Sequence, residues 1–145
     1  MILDDIIVRT ITKMIIPFIE IYGVFIILHG HITPGGGFSG GALLGTSLVL
    51  YTLVFGVHKA QKKFSEKASL FAESGGILWF IALGFIGIIV SGAFLSNQAV
   101  GFPMGNPGSL FSAGFIPLIM IGIGIKVAST MITLFHTVIE VDEHA

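Results

Sequence analysis

Four long apolar segments, separated by short polar or glycine-rich stretches, constrain the fold of this chain more than any other feature. They lie at about residues 11–30, 38–57, 76–95 and 110–135, and each is close to the ~20 apolar residues that let an α-helix cross a ~30 Å hydrocarbon core. With 54% hydrophobic and only 10% charged residues, the chain has too little polar surface to cover a soluble globule. The sequence therefore predicts an all-α membrane protein, with a single domain of four transmembrane helices.

Charge and motif content exclude several classes of function. The formal net charge of −1 excludes a basic nucleic-acid-binding surface, and the absence of cysteine excludes disulfides and thiolate metal sites. Gly35, Gly37 and Gly40 match G-x-G-x-x-G formally, but a membrane helix rather than a strand precedes them, so the match is discarded. We expect neither an enzyme active site nor a cofactor.

The basic residues predict the orientation of the chain. All but Lys126 fall at the N-terminus or in the loop between the second and third segments: Arg9, Lys13, Lys59, Lys62, Lys63 and Lys67. Because basic residues concentrate on the cytoplasmic side, both termini are expected to be cytoplasmic. Residues 1–10 are expected to lie along the membrane surface, and the chain begins without the basic stretch of a removable signal peptide. Trp79, near the start of the third segment, predicts an indole at headgroup level.

Between the first two segments lies H-G-H-I-T-P-G-G-G-F-S-G-G, residues 29–41. Pro34 disfavours helix at the residue before it, so the first helix should end near Gly30 or His31. Three glycines, Gly35, Gly36 and Gly37, then allow a tight turn. Glycines at four-residue spacing form a smooth stripe along the next helix, at Gly37, Gly41 and Gly45, and the third segment has a similar pair at Gly84 and Gly87. Smooth stripes of this kind favour close helix packing.

Charged residues inside the apolar segments are the candidates for an ion pathway. Glu20 lies near the middle of the first segment, where an ionised side chain costs ~2.5–3.5 kcal/mol, and Lys126 lies in the last segment. These two could pair if their helices are neighbours, whereas Lys13 is ~10 Å from Glu20 along the helix axis. Two interpretations stay open: a proton or cation relay, or static charges that serve assembly.

Histidines give weaker signals. His29 and His31 flank Gly30, but two imidazoles without a third ligand make a poor metal site, so helix capping or outward hydrogen bonding is the preferred interpretation. His136 and Glu140 are four residues apart and are expected to form a solvated pair at the cytoplasmic end.

The turn sequence followed by a glycine-striped segment resembles the signature of the B subunit of Mrp-type multi-subunit sodium/proton antiporters. The resemblance covers essentially the whole chain, and membrane-bound hydrogenases and similar complexes have homologous subunits. The positions that match the family pattern are Pro34, Gly35, Gly36, Gly37, Phe38, Gly40 and Gly41. No family role is carried over to Glu20 or Lys126.

This resemblance implies a subunit of a complex in a bacterial inner membrane. Its partners would be other small hydrophobic subunits and two large ones similar to the antiporter-like subunits of respiratory complex I, and sodium ions and protons would be the transported species. The subunit would serve assembly or contribute to the cation route. Three alternatives remain: a stand-alone proton-coupled multidrug exporter, a homologous subunit of a membrane-bound hydrogenase-like complex, and a scaffold without ion contact. The strong charge bias argues against an exporter that inserts in both directions.

Overall fold

The computed structural model describes residues 6–97, 105–106, 108–109 and 112–143, and all regular structure within these ranges is helical. The helices are α1 (Ile6–Leu28), α2 (Gly37–Phe55), α3 (Val57–Lys63), α4 (Glu66–Ser91) and α5 (Ile116–Glu143). By length and composition α1, α2, α4 and the part of α5 up to Ile139 can each cross a membrane. The prediction of an all-helical protein with four membrane spans is confirmed.

The first helix is longer at its start than we predicted from the charges. It begins at Ile6 rather than near residue 11, so residues 6–10 continue α1 instead of forming a separate surface segment; residues 1–5 lie outside the described residues. The hydroxyl of Thr10 donates to the carbonyl of Ile6 at 2.8 Å. A polar residue such as Arg9 does not end a helix whose backbone hydrogen bonds continue through it. Pro17 also lies within α1.

The basic loop expected between the second and third spans is helical. Gly56, with φ 89°, ends α2 and starts α3, and Ser65 caps α4 by accepting a 3.3 Å hydrogen bond from the Ala68 N–H. Because α4 begins at Glu66 rather than near residue 76, Trp79 lies at the middle of the helix instead of near its start. Its indole N–H donates to the Leu118 carbonyl at 2.9 Å, close to the beginning of α5.

After α4 the chain folds back on its own helix. A Cβ atom added to Gly87 would lie 2.9 Å from the backbone nitrogen of Leu95, and one added to Gly84 would clash with the Phe94 ring. These two glycines therefore make room for the returning chain, not for the neighbouring helix that we expected. The last span begins at Ile116 rather than near residue 110, and positions 110 and 111, like the prolines at 103 and 107, lie outside the described residues.

The long helices are arranged in the order α1, α2, α5, α4. Three glycines of α2 face α5: a Cβ atom added to Gly37 or Gly41 would lie 2.6 Å from a carbonyl oxygen of α5, and one added to Gly45 would lie 2.6 Å from the Cβ of Met131. Gly40, on the other side of α2, faces α1, where a Cβ would lie 2.6 Å from the carbonyl oxygen of Gly23. Glycine thus lets α2 contact a helix on each side.

Most large apolar side chains of the long helices point away from the contacts between the helices. Phe18 of α1 is 72% exposed, and Phe71 and Ile89 of α4 are 78% and 81% exposed. In water such a surface would drive association, so it requires lipid or other membrane helices as its surroundings.

Candidate functional site

An ion pair joins α4 to α5, two of the helices that are long and apolar enough to cross a membrane. The Nζ atom of Lys126 lies 3.7 Å from the Oε1 atom of Glu73, with side-chain exposures of 36% and 27%. Lys126 is ten residues from the start of α5 and Glu73 is seven residues from the start of α4. The sequence interpretation had left Glu73 in a loop, so it missed the partner of Lys126.

One hydroxyl group contacts this pair, and three more lie about one turn away. Thr130 Oγ1 donates to Glu73 Oε1 at 3.0 Å and lies 2.9 Å from the carbonyl oxygen of Lys126. One turn along α4, Ser69 Oγ lies 3.0 Å from Ser129 Oγ and 2.6 Å from Thr133 Oγ1. We call the set of Ser69, Glu73, Lys126, Ser129, Thr130 and Thr133 the polar seam.

The polar seam is buried where it contains only hydroxyls. Ser69 is 4% exposed and Ser129 is 2% exposed, and Ser129 Oγ also donates to the Ser69 carbonyl in a short hydrogen bond. Buried hydroxyls need such partners, because an unpaired polar group in an apolar surrounding costs free energy. The hydroxyl and carbonyl groups of the two helices therefore satisfy one another across the interface.

A cavity of about 190 Å³ adjoins the polar seam at the α3 side of the protein. Its polar lining includes Glu66, Ser69, Thr133, His136 and Thr137. His136 is 7% exposed, and its Nε2 atom lies 3.5 Å from Thr52 Oγ1 on α2. The expectation of a solvated His136 at this end was wrong, because α2 and α5 pack closely enough to cover the ring. The side chain of its expected partner, at position 140, lies outside the described part of the chain.

The charges that the sequence singled out are not brought together. Glu20 is half-buried on α1, and the described residues contain no ion pair between it and Lys126, which pairs with Glu73 instead. The Nζ atom of Lys13 lies 5.7 Å from the centre of the Phe55 ring, a cation–π contact between α1 and α2.

The turn between α1 and α2 is built as a close backbone contact. A Cβ atom added to Gly30 would clash with the Cα of Gly36, and Gly35 and Gly36 have φ angles of 142° and 94°, which favour glycine. Pro34 is exposed, and Phe38 is 70% exposed at the start of α2. The Phe38 ring therefore lies on the outer surface and is not part of the packing inside the turn.

The two histidines of the turn have different surroundings. The ring of His29 stacks on Phe25 with centroids 4.1 Å apart, and its Nδ1 lies 3.0 Å from the Phe25 carbonyl oxygen. His31 Nε2 lies 3.2 Å from the carbonyl oxygen of Ser109, which ties the turn to the connector before α5. Within the part of the chain that the structure describes, no group of three or more histidine or acidic side chains is placed to hold a metal ion.

The connector before α5 is held by a residue that sequence reasoning did not single out. Asn97 Nδ2 donates to the carbonyl of Ala113 at 2.8 Å, and its Oδ1 accepts from the Phe115 N–H at 3.0 Å. An asparagine among turn residues gives no sequence signal that distinguishes such a clamp from an ordinary loop position.

Together these features define a multi-pass α-helical membrane protein that holds a hydroxyl-lined ion pair between two of its spans. Residues 7–133 match the family model described as a domain related to the MnhB subunit of the Na+/H+ antiporter. The chain belongs to this MnhB family, as the resemblance of the turn sequence had predicted.

Relatives of the chain include bacterial and archaeal proteins. The corresponding Na(+)/H(+) antiporter subunit of Bacillus subtilis is 27% identical over 138 residues, which are 93% of each chain. An uncharacterized protein of Methanocaldococcus jannaschii is 37% identical over 117 residues, which are 77% of this chain and 43% of the relative. This chain therefore spans less than half the length of that archaeal relative.

A solved structure has the same fold. In the membrane-bound sulfane sulfur reductase, an archaeal respiratory membrane complex, one chain matches with a TM-score of 0.71 and 32% sequence identity. The match covers 89% of this chain and 55% of the other.

Proposed function

We propose that this chain is a small integral-membrane subunit of a multi-subunit cation/proton antiporter complex, in which it is needed for assembly and contributes to the cation pathway. The observation that carries the proposal is the Glu73–Lys126 ion pair inside two apolar spans. Ionisable residues within membrane spans are costly, and their usual place is along an ion pathway. The chain itself performs no chemical conversion in this proposal.

The exposed apolar surface supports a subunit rather than an independent carrier. Side chains such as Phe18, Phe71 and Ile89 cover the outside of the spans. Broad apolar faces of this kind suit contact with further membrane subunits. The proposed partners are the small and large membrane subunits of such a complex, with sodium ions and protons as the transported species.

A second candidate function is the same structural role in a respiratory membrane complex. The similarity to a chain of the sulfane sulfur reductase complex favours it. The relatives come from bacteria and archaea, so the proposed location is the cell membrane of a prokaryote. The sequence resemblance implies more specifically the inner membrane of a bacterium.

Purification from the native membrane tests the proposal. The chain carrying an affinity tag should co-purify in mild detergent with several other membrane subunits, and its deletion should abolish sodium/proton exchange in membrane vesicles. Redox subunits in the purified complex would favour the respiratory candidate. A chain that purifies alone and exchanges ions alone would contradict both candidates.

Orientation gives an independent test. Both termini are proposed to be cytoplasmic, because the lysines of α3 and of the start of α4 lie together at one end. A reporter fused to the C-terminus should be active only on the cytoplasmic side. Equal populations in both orientations would instead support the small multidrug exporter.

A further inference from the structure

We propose that the polar seam and its adjoining cavity form a one-sided proton path, which enters beside Glu66 and ends at Glu73, with Lys126 as the counter-ion of Glu73. This inference rests on the proposed function and deepens it by locating a proton site within the chain. Glu73 takes up a proton from water in the path and releases it again, and no covalent bond other than the O–H bond changes.

The spacing of the polar residues gives the path its direction. On α5, Lys126, Thr130, Thr133 and Thr137 follow one another at intervals of three or four residues, so they share one face of the helix. Ten residues separate Lys126 from His136, or about 15 Å at 1.5 Å per residue. The path therefore runs from the α3 end of the protein toward the middle of α5, where Lys126 is ten residues from Ile116.

The groups along the path are suited to carry protons through water. A hydroxyl both donates and accepts hydrogen bonds, and the hydroxyl of Ser69 contacts those of Ser129 and Thr133. The cavity of about 190 Å³ next to them has room for several waters, since one water occupies about 30 Å³ in the liquid. Glu66, at its entrance, is exposed.

Beyond the ion pair the interface becomes apolar and tight. A Cβ atom added to Gly76 would lie 2.7 Å from the carbonyl oxygen of Gly122, and one added to Gly122 would lie 2.6 Å from Cδ1 of Trp79. The groove on this side of the ion pair is lined by small and apolar residues. Among the described residues the hydroxyl series thus stops at Glu73.

The ion pair has a lateral exit. Glu73 and Lys126 retain 27% and 36% of their side-chain exposure, and Lys126 also borders a groove with Gly76, Ile77, Phe80 and Ile123 on the side of the helices. Ionised groups facing lipid directly would be costly. A neighbouring subunit that covers this face would shield the ion pair from lipid.

Cysteine accessibility tests the path within the assembled complex, because the chain has no cysteine of its own. Thr133→Cys places a thiol at the cavity. Leu134→Cys is the matched control, because Leu134 is 60% exposed on the outer surface of α5. In membrane vesicles, a small impermeant methanethiosulfonate reagent should modify Thr133→Cys from the α3 side and leave Leu134→Cys in lipid unmodified. An unmodified Thr133→Cys would overturn the path.

Exchange measurements test the terminal group. Complexes with Glu73→Gln should assemble with their partners but lose sodium-dependent proton movement, whereas Glu73→Asp should retain part of it and Ser74→Ala, on the exposed side of α4, should retain all of it. Normal exchange by assembled Glu73→Gln complexes would overturn the inference and leave the subunit assignment intact. If the unmodified chain failed to co-purify with partners, the proposed function itself would fail.

Discussion

Gly41 of α2 lies against the backbone of Gly124 of α5, so that a Cβ atom added to Gly41 would stand 2.6 Å from the Gly124 carbonyl oxygen. Gly37 makes an equivalent contact one turn earlier, with the Met120 carbonyl oxygen. In a membrane, where lipid tails are as apolar as side chains, such close van der Waals packing supplies much of the association between helices. The position of α2 therefore depends on the absence of a side chain at these glycines.

We predict that Gly41→Ala destabilises the protein by about 1–3 kcal/mol, the usual cost of overpacking a tight interface. The obstacle is a backbone oxygen, which cannot move away without separating the two helices. Thermal unfolding of the purified protein in detergent measures the effect.

Gly75→Ala is the matched control for this variant. Gly75 is also helical, but a Cβ atom added there would meet nothing within 4 Å. We expect its unfolding temperature to equal or exceed that of the unchanged protein, because alanine favours helix over glycine. Equal losses at Gly41 and Gly75 would contradict the close α2–α5 contact.

Ser129→Ala should weaken the α4–α5 interface by about 1–2 kcal/mol. Its hydroxyl contacts both the hydroxyl and the carbonyl of Ser69, and hydrogen bonds between membrane helices average ~0.6 kcal/mol with a maximum near ~1.7. A double-mutant cycle with Ser69→Ala, read by unfolding in detergent, isolates the coupling between the two residues.

Ser74→Ala serves as the control for the serine variants, because Ser74 is exposed on the same helix as Ser69. Its stability should be unchanged. If the stability losses of Ser69→Ala and Ser129→Ala were simply additive in the double variant, the two hydroxyls would not interact. That result would contradict the buried part of the polar seam.

The sequence correctly predicted the features of the fold that depend on helix length and on local backbone chemistry. Four apolar segments of spanning length predicted the four spans, and Pro34 with the following glycines predicted the position of the turn between α1 and α2. These features are local, because each is decided by the residues of one segment. The boundaries were less accurate: charged residues such as Arg9 and Lys67 lie within helices, although their charge had placed them outside the spans in the sequence interpretation.

The polar seam could not be predicted because it depends on which helices are neighbours. Glu73 can pair with Lys126 only because α4 begins ten residues earlier than expected, which places Glu73 within the helix and opposite Lys126. Likewise, nothing in the sequence around His136 indicates that Thr52, 84 residues away, covers it. Pairing between spans is a tertiary property, and the spacing of residues within one helix cannot determine it.

Asn97→Ala should destabilise the connector before α5 by about 1–2 kcal/mol, since two hydrogen bonds of about 1 kcal/mol each are lost. These bonds join Asn97 to Ala113 and Phe115. Limited proteolysis in detergent should cut the variant faster, within the segment between α4 and α5. Asn106→Ala, at an exposed position of the same connector, should be cut at the unchanged rate, and equal rates for both variants would contradict a clamp at Asn97.

Glu20→Gln and Glu73→Gln should have opposite effects on the stability of the isolated protein. Glu20 forms no ion pair among the described residues, so removing its charge should preserve or raise the unfolding temperature, since an ionised residue at mid-membrane costs ~2.5–3.5 kcal/mol. Glu73→Gln should lower it, because Lys126 then loses its counter-ion.

In the assembled complex the comparison becomes a test of the role of Glu20. A chain that retains a charge at this cost is expected to use it with a transported cation or a partner subunit, so Glu20→Gln should reduce sodium/proton exchange although it does not destabilise the chain. Tyr22→Phe, which removes a polar group from an exposed position two residues further along α1, is the control and should leave exchange unchanged. Full exchange by co-purified Glu20→Gln complexes would exclude Glu20 from the cation pathway. It would leave Glu66 and Glu73 of α4 as the acidic candidates for that pathway among the described residues of the spans.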